Sequence, residues 1–437
     1  MNNRIVNIFL TGQTTLHWGR MEFGNIGNFY VISPFIKMIH EVFPKCRIRT
    51  TLQMSEKFCD EENIEIVPME LYYDFKYDKN LELAKEEYNI AKLLLKGERP
   101  QRTSYINEVL NADLVIDFSG DMWGENADFL GKDRFEVGLY KDLTAQILRP
   151  TVMMAGSPGP FNNKKLYTLI EKTLEGFKFI SNRESVSTDL LKKQGFSIDN
   201  VINSPCPSFL FKGKKHEEIL GILKKENLFK KNRPQFGFIL SGWNFTTGPF
   251  DLWPRLDSDY DEFLHAIEFC VKNLGADVYL MSHSNGFVSP PGKFEIIHGR
   301  DYPIMKQLKS IIDANGMSKR VKLIDGIYDP WCTKGIINEF DMLISGRVHG
   351  AIAGLSQCVP TVIIDYGHEP KAHKSRGFSI ICNQEQYLAS AAIKNDIVEK
   401  IDSCWSNRYN IEQELEKNMS NLHEAIKKQF IMLEEIL

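Results

Sequence analysis

The sequence predicts an α/β protein made of two doubly wound, Rossmann-like domains. Short apolar runs alternate with helix-spaced segments along most of the chain. That alternation is the mark of βαβ units and a parallel sheet. Several runs are continuous in Val and Ile, as strands buried on both faces require. The runs are also too numerous for one compact sheet, which argues for two.

In the first half the strand candidates are Ile5–Leu10, Arg47–Thr51, Ile64–Val67, Asp113–Phe118, Thr151–Ala155 and Phe177–Ser181. Between the first two, Val31, Ile32, Phe35, Ile36, Ile39 and Phe43 follow helical spacing. The second half repeats the rhythm at Gln235–Ser241, Asp277–Ser282, Phe294–His298, Val321–Ile324, Asp341–Ser345 and Thr361–Tyr366. Helices are expected over Tyr260–Leu274, Tyr302–Asn315 and Val348–Gln357. The first domain is read as residues 1–205 and the second as 235–410. A lysine-rich linker at 206–234 lies between them, entered through Pro205 and Pro207 and left at Pro234. Residues 411–437 carry apolar side chains at 411, 415, 419, 422, 426, 430 and 433. They form one amphipathic helix, long enough to cross back and brace the first domain.

Composition narrows the function. The 437 residues are 43% hydrophobic and 25% charged, an ordinary globular balance. With 53 Lys and Arg against 57 Asp and Glu, the net charge is -4. Such a chain does not suit sequence-independent nucleic-acid binding, although a local basic pocket for a small anion is compatible with it. No apolar run is long enough to span a bilayer, and the N-terminus reads as a strand instead of a signal peptide. Eight scattered cysteines without a C-x-x-C suggest reduced thiols and a cytoplasmic protein. Signatures of P-loop, dinucleotide-binding and α/β-hydrolase chemistry are missing. His368 and His373 are spaced five apart around Pro370, which does not suit a helical zinc motif, so no metal is expected.

The strongest local signal runs from Asp341 to Tyr366. Strand Asp341–Ser345 ends in Ser345-Gly346-Arg347, a helix opens at Val348-His349-Gly350, and Pro360 leads the next strand. Ligands of open α/β sheets bind at such strand ends, where helix amides favour anions. Arg347 offers a planar cationic fork for phosphate or carboxylate. It can equally pair an internal carboxylate such as Asp341. His349 can bind the same anion, transfer a proton near neutral pH, or simply pack.

This unit resembles the polysaccharide pyruvyl transferase family. Three further stretches agree in order: Phe23-Gly24-Asn25-Ile26-Gly27-Asn28; Asp113–Asp121 with Arg149–Pro160; and Ser181-Asn182-Arg183-Glu184-Ser185 reaching Leu191 and Gly195. The family's glycine triplet is Ser119-Gly120-Asp121 here, its Asp-Pro is Cys206-Pro207, and its lysine sits at Lys371.

The resemblance implies two domains facing across a cleft, as in GT-B glycosyltransferases, with the acceptor on the first and the donor on the second. It implies transfer of pyruvate from phosphoenolpyruvate, a co-substrate and the only small-molecule helper expected, to a surface polysaccharide or lipid-linked sugar. Arg347, Arg183 and Lys371 would hold the donor's phosphate and carboxylate. His349 would be the acid and Asp121 the base. Asn25, Gly27, Asn28 and His283 would border the substrate, and loop tryptophans Trp18, Trp123 and Trp243 would either stack on sugar or pack. A peripheral contact between Lys212–Lys231 and anionic lipid also fits. Two other functions compete: a GT-B-type glycosyltransferase using a nucleotide-sugar, and a catalytically silent carbohydrate-binding relative.

Overall fold

The computed structural model describes residues 5–228, 232–242, 255–367 and 372–437. Two compact units emerge. Unit 1 comprises Met1–Met21, Phe35–Cys206 and Glu424–Leu437; unit 2 comprises Glu22–Pro34 and Pro207–His423.

Unit 1 is a seven-stranded parallel sheet. Its strands are β1 (Val6–Thr11), β2 (Cys46–Thr50), β3 (Ile64–Ile66), β4 (Leu114–Asp117), β5 (Thr151–Gly156), β6 (Ile180–Asn182) and β7 (Val201–Asn203), in the order 3-2-1-4-5-6-7. Every residue of β4 and β5 is buried, which explains their unbroken apolar runs. Helix Arg134–Leu148 packs over the sheet, with Phe135 and Leu139 in a core shared with Trp123, Phe161 and Phe177. Trp123 is therefore a core residue, 1% exposed, and donates from Nε1 to Asp142 Oδ2 at 3.1 Å. Trp243 lies outside the described residues.

Unit 2 holds a six-stranded parallel sheet. Its strands are β8 (Gln235–Ile239), β9 (Asp277–Leu280), β12 (Val321–Leu323), β13 (Met342–Ser345), β14 (Thr361–Asp365) and β15 (Leu388–Ser390), in the order 12-9-8-13-14-15. A separate antiparallel hairpin, β10 (Asn285–Val288) with β11 (Glu295–His298), interrupts the alternation. The Phe294–His298 run is therefore a hairpin strand and not a member of the main sheet. With the hairpin set aside, both sheets share one order, third-second-first-fourth-fifth-sixth. In that order the chain reverses direction between its first and fourth strands, and the C-terminal ends there form the ligand crevice of doubly wound folds.

Helix Arg408–Ile431 has residues in both units, passing from unit 2 to unit 1 at His423–Glu424. Within unit 1, Ser181 Oγ donates to Gln429 Oε1 at 2.5 Å and the Phe430 ring lies 5.1 Å from Phe35. Residues Glu22–Pro34, read above with the first domain, cluster with unit 2. The reason is packing: Phe23 lies on Phe287 and Phe294, and Tyr30 stacks on Phe211 at 4.6 Å. Among the described residues no helix is long and apolar enough to cross a membrane. None of the eight cysteines is in a disulfide.

Candidate active site

The Asp341–Tyr366 segment folds as strand, turn, helix, strand, and its small residues have steric causes. Ser345 Oγ accepts the Arg347 N–H at 3.2 Å and donates to the Arg347 carbonyl at 2.9 Å, which fixes the turn. A Cβ on Gly346 would sit 2.0 Å from the Tyr366 hydroxyl, and one on Gly354 would sit 2.5 Å from Thr361 Oγ1. The helix Val348–Leu355 thus lies tight on the sheet, its N-terminus at the end of β13. Tyr366 Oη accepts the Ser241 N–H at 3.1 Å, joining the ends of β8 and β14.

Arg347 is paired, and its partner is Asp301, not Asp341. Arg347 Nε donates to Asp301 Oδ1 and Oδ2 at 3.0 Å each, and Nη2 donates to Oδ1 as well. Asp341 instead caps the start of β8, accepting the Gln235 N–H at 2.7 Å. Asp301 is fully buried. Its Oδ1 also accepts the Gly242 N–H at 2.8 Å, and its Oδ2 the His283 N–H at 3.1 Å. One carboxylate therefore ties the loops after β8, β9 and β13 to one another. Each oxygen accepts from more than one donor, so an amide could not replace it: its NH₂ would face N–H groups. Among the described residues Arg347 Nη1 has no hydrogen-bond partner, so one edge of the guanidinium can face a ligand.

The other unit 2 candidates converge here. Asn25 bridges to Ser284, beside His283. Asn25 Oδ1 accepts the Gly27 N–H at 3.1 Å, and Asn25 Nδ2 donates to Asn28 Oδ1 at 3.4 Å, so both asparagines shape the opening of helix Ile26–Val42. A Cβ on Gly27 would fall 2.5 Å from His349 Nδ1. Gly27 is thus the residue that lets this helix start against the histidine ring. His283 is fully buried, with neither ring nitrogen hydrogen-bonded, and meets Tyr30 edge-on at 5.3 Å. Burial pushes its pKa down to about 3, so it is a neutral packed histidine at the site's wall. Lys334, also buried, donates from Nζ to the Phe211 carbonyl at 2.5 Å, and burial pushes its pKa down to about 7.

Unit 1 brings its two candidates together separately. Arg183, 5% exposed, donates from Nε to Ser157 Oγ at 2.9 Å, and its Nη2 lies 3.7 Å from Asp121 Oδ1. Asp121 sits on the short turn Gly120–Met122 just past β4. Glu184 caps the next helix, accepting the Ser187 N–H at 2.9 Å. Lys371 lies outside the described residues, as do His368 and Pro370. His373 and Lys374, which follow Lys371, are buried. Among the described residues no cluster of His, Cys, Asp and Glu could hold a metal ion. Asp301 and Lys334 escaped the sequence reading. Neither lies in a motif, and Asp301 meets Arg347 only through the fold.

Known structures share this architecture. The Anabaena protein HepE in complex with UDP and glucose aligns with a TM-score of 0.56 at 11% identity, covering 98% of each chain. A glycosyltransferase from Rickettsia africae aligns at 0.57 and 13%, covering 98% of this chain and 99% of its own. The UDP-GlcNAc 2-epimerase of Methanocaldococcus jannaschii aligns at 0.52 and 11%, covering 92% and 93%. At such identities the likeness establishes the GT-B-like fold. No functionally curated protein matches the sequence. A family model, polysaccharide pyruvyl transferase, matches residues 54–368. That span takes in the Asp121 turn, Arg183, the Asp301 clamp and the Arg347–His349 helix start, and it makes the chain a transferase: this protein belongs to the polysaccharide pyruvyl transferase family.

Proposed function

We propose that the chain transfers pyruvate from phosphoenolpyruvate to two hydroxyls of a sugar, in a surface polysaccharide or its lipid-linked precursor, forming a cyclic ketal and releasing phosphate. The observation that carries this reading is the convergence of the Asn25–Asn28 turn, His283 and the Arg347–His349 helix start on the β8/β13 strand ends. Unit 2 is the donor side in this reading. The Val348–Leu355 helix N-terminus and the free edge of Arg347 receive the donor's anionic groups, and Lys371 adds positive charge. His349 gives a proton to the methylene carbon, which leaves an oxocarbenium-like centre at the adjacent carbon. One sugar hydroxyl adds there and loses its proton to a base. The second hydroxyl then displaces phosphate, which departs with the second proton.

Unit 1 is the acceptor side. Asp121 is the base, and Arg183 holds it in place and supplies a further cation. No metal or bound cofactor enters the scheme. The acceptor's lipid carrier brings the protein to the cytoplasmic membrane face, with loose, salt-sensitive contact through the Lys212–Lys231 stretch.

The test is acceptor-dependent phosphate release from phosphoenolpyruvate, with the ketal methyl followed by NMR. His349→Gln should lower kcat by roughly 10²–10⁴-fold and leave donor affinity nearly unchanged. Equal losses in both would reduce His349 to an anion ligand. The GT-B-like fold shared with the UDP-bound HepE favours a second reading, nucleotide-sugar transfer. Thermal protection by uridine nucleotides but not by phosphoenolpyruvate would select it. Sugar binding without turnover of either donor would mark a silent relative.

A further inference from the structure

Arg134 is the first residue of helix Arg134–Leu148 in unit 1, and its side chain is fully buried. Nη2 donates to the carbonyl of Gln13 at 2.9 Å and to that of Thr15. The guanidinium lies over the rings of Tyr73 and Phe75, 4.7 and 5.1 Å from their centroids. Nε and Nη1 have no acceptor among the described residues. Among the described residues no carboxylate pairs with this cation, and tyrosines are its only ionisable neighbours of consequence. A guanidinium stays protonated in proteins, and a buried charge without a counter-charge is among the costliest arrangements a fold can contain. Two carbonyls and two ring faces solvate part of it, and the remaining N–H groups still lack an acceptor.

The surroundings suggest what is missing. Tyr72 Oη and Gln13 Oε1 are also buried without hydrogen-bond partners. A Cβ on Gly138 would fall 1.7 Å from Gln13 Nε2 and 2.9 Å from Tyr72 Oη, so the two side chains meet over that glycine. Gln13 follows β1, and its N–H donates to Ser119 Oγ, just past β4, at 2.8 Å. The group thus occupies the strand-order reversal of the first sheet, where doubly wound folds take ligands.

We propose that unit 1 binds a small monovalent anion, a halide or a carboxylate of formate or acetate size, against Nε and Nη1 of Arg134. The Tyr72 hydroxyl is a further donor to it. Gln13 Oε1, an acceptor, suits a water carried in with the anion. The site is independent of the pyruvyl-transfer reading and needs no donor or acceptor sugar.

The experiment uses the full chain. Thermal unfolding is followed against sodium bromide, formate and acetate at ionic strength held constant with gluconate, a much bulkier anion. A selective anion should raise Tm saturably, as ligand binding to the folded state requires, and Arg134→Met should abolish the response. Should Arg134→Met not fold, Tyr72→Phe, which deletes only the hydroxyl, should weaken the apparent affinity roughly three- to tenfold. Bromide-soaked wild-type crystals should show anomalous density within hydrogen-bond distance of Arg134. An anion response identical in wild type and Tyr72→Phe, or anomalous density with no change in Tm (binding at crystal concentration only), would overturn the assignment. Arg134 would then be a stacked structural cation.

Discussion

The two sheets share a strand order and each places an arginine at its reversal point, yet only one of them meets that charge with a carboxylate. In unit 2, Arg347 meets Asp301 through both carboxylate oxygens, and Asp301 also holds the Gly242 and His283 amides. In unit 1, Arg134 has carbonyls and ring faces but no carboxylate. The carboxyls nearby, Asp117 and Asp142, are fully buried and hydrogen-bonded to each other, and burial pushes both upward, Asp117 to about 7. One half of the molecule uses an ion pair to assemble its strand-end loops. The other uses protonation and hydrogen bonds. A fold dictates where a site lies, and the side chains decide how its charge is managed.

The sharpest way to break the comparison is to remove the matching carboxylate. Asp301→Ala leaves Arg347, its side chain only 15% exposed, beside two freed amides, and breaking one partner of a buried pair costs about 3–5 kcal/mol. Arg134→Met in anion-free buffer removes an unmatched charge and should cost less than about 1 kcal/mol. Denaturant unfolding of both variants tests this. Similar losses would mean that Arg134 is as well compensated as Arg347.

Acidity should move the units in opposite directions. Asp117 in the fold keeps a proton up to about pH 7, whereas an unfolded aspartate releases it near 4. Between those values the folded state binds the extra proton, so unit 1 loses stability as pH rises through that window. His283, held down to about 3, refuses a proton that the unfolded chain accepts below about 6.5. Unit 2 therefore loses stability as pH falls below that point. Lys334 extends the trend: the unfolded chain alone is protonated between about 7 and 10.5, so unit 2 gains as pH rises there. Across its full window each effect is on the order of 4 kcal/mol. Hydrogen exchange corrected for intrinsic rates, read unit by unit from pH 5 to 7, should show protection falling in unit 1 and rising in unit 2. Parallel trends would sink the idea, and Asp117→Asn should flatten only the first.

What the sequence revealed follows the range of the interactions. The Asp341–Tyr366 segment was legible because its causes are local: Ser345 bonds two residues on, and Gly346 answers to Tyr366. Asp301 was not legible. It lies 46 residues from Arg347, opens a helix like many other aspartates, and acquires its meaning only when three strand ends meet. The pairing of Arg183 with Asp121 was hidden in the same way, since each looked like a separate candidate. Continuous Val and Ile runs marked the central strands. The edge strands β7 and β15 are three residues long with little apolar pattern, so they passed unnoticed. The Phe294–His298 run has the composition of a sheet strand, and nothing in it announces an antiparallel partner.

A tighter fit in unit 2 sharpens the contrast. Gly27→Ala places a methyl against His349, and overpacking of this kind costs about 1–3 kcal/mol. If the helix start shifts to relieve it, the His349 ring moves with it, so kcat should fall more than stability does. Unchanged turnover with lowered Tm would show that the contact only packs.

The smallest effect compares two serines in equivalent places. Ser119, past β4, donates to Asp117 Oδ2 at 2.7 Å and accepts the Gln13 N–H at 2.8 Å. Ser345, at the end of β13, bonds only the Arg347 peptide among the described residues. Ser119→Ala strips a buried carboxyl of a donor and a buried amide of its acceptor, which costs about 1–3 kcal/mol. Ser345→Ala disturbs one local turn and should cost nearer 0.5–1.5 kcal/mol. The first change also touches acidity. The hydrogen bonds from the Ser119 hydroxyl and N–H oppose the upward push that burial exerts on Asp117, and the substitution removes the hydroxyl's share of them. Without that share the carboxyl should hold its proton to higher pH, and the point where unit 1's protection levels off should move upward. Ser345→Ala has no such lever, because Arg347 remains charged throughout. A pH shift in the Ser345 variant, or none in the Ser119 variant, would mean that Asp117 is not the group whose protonation sets the pH dependence of unit 1.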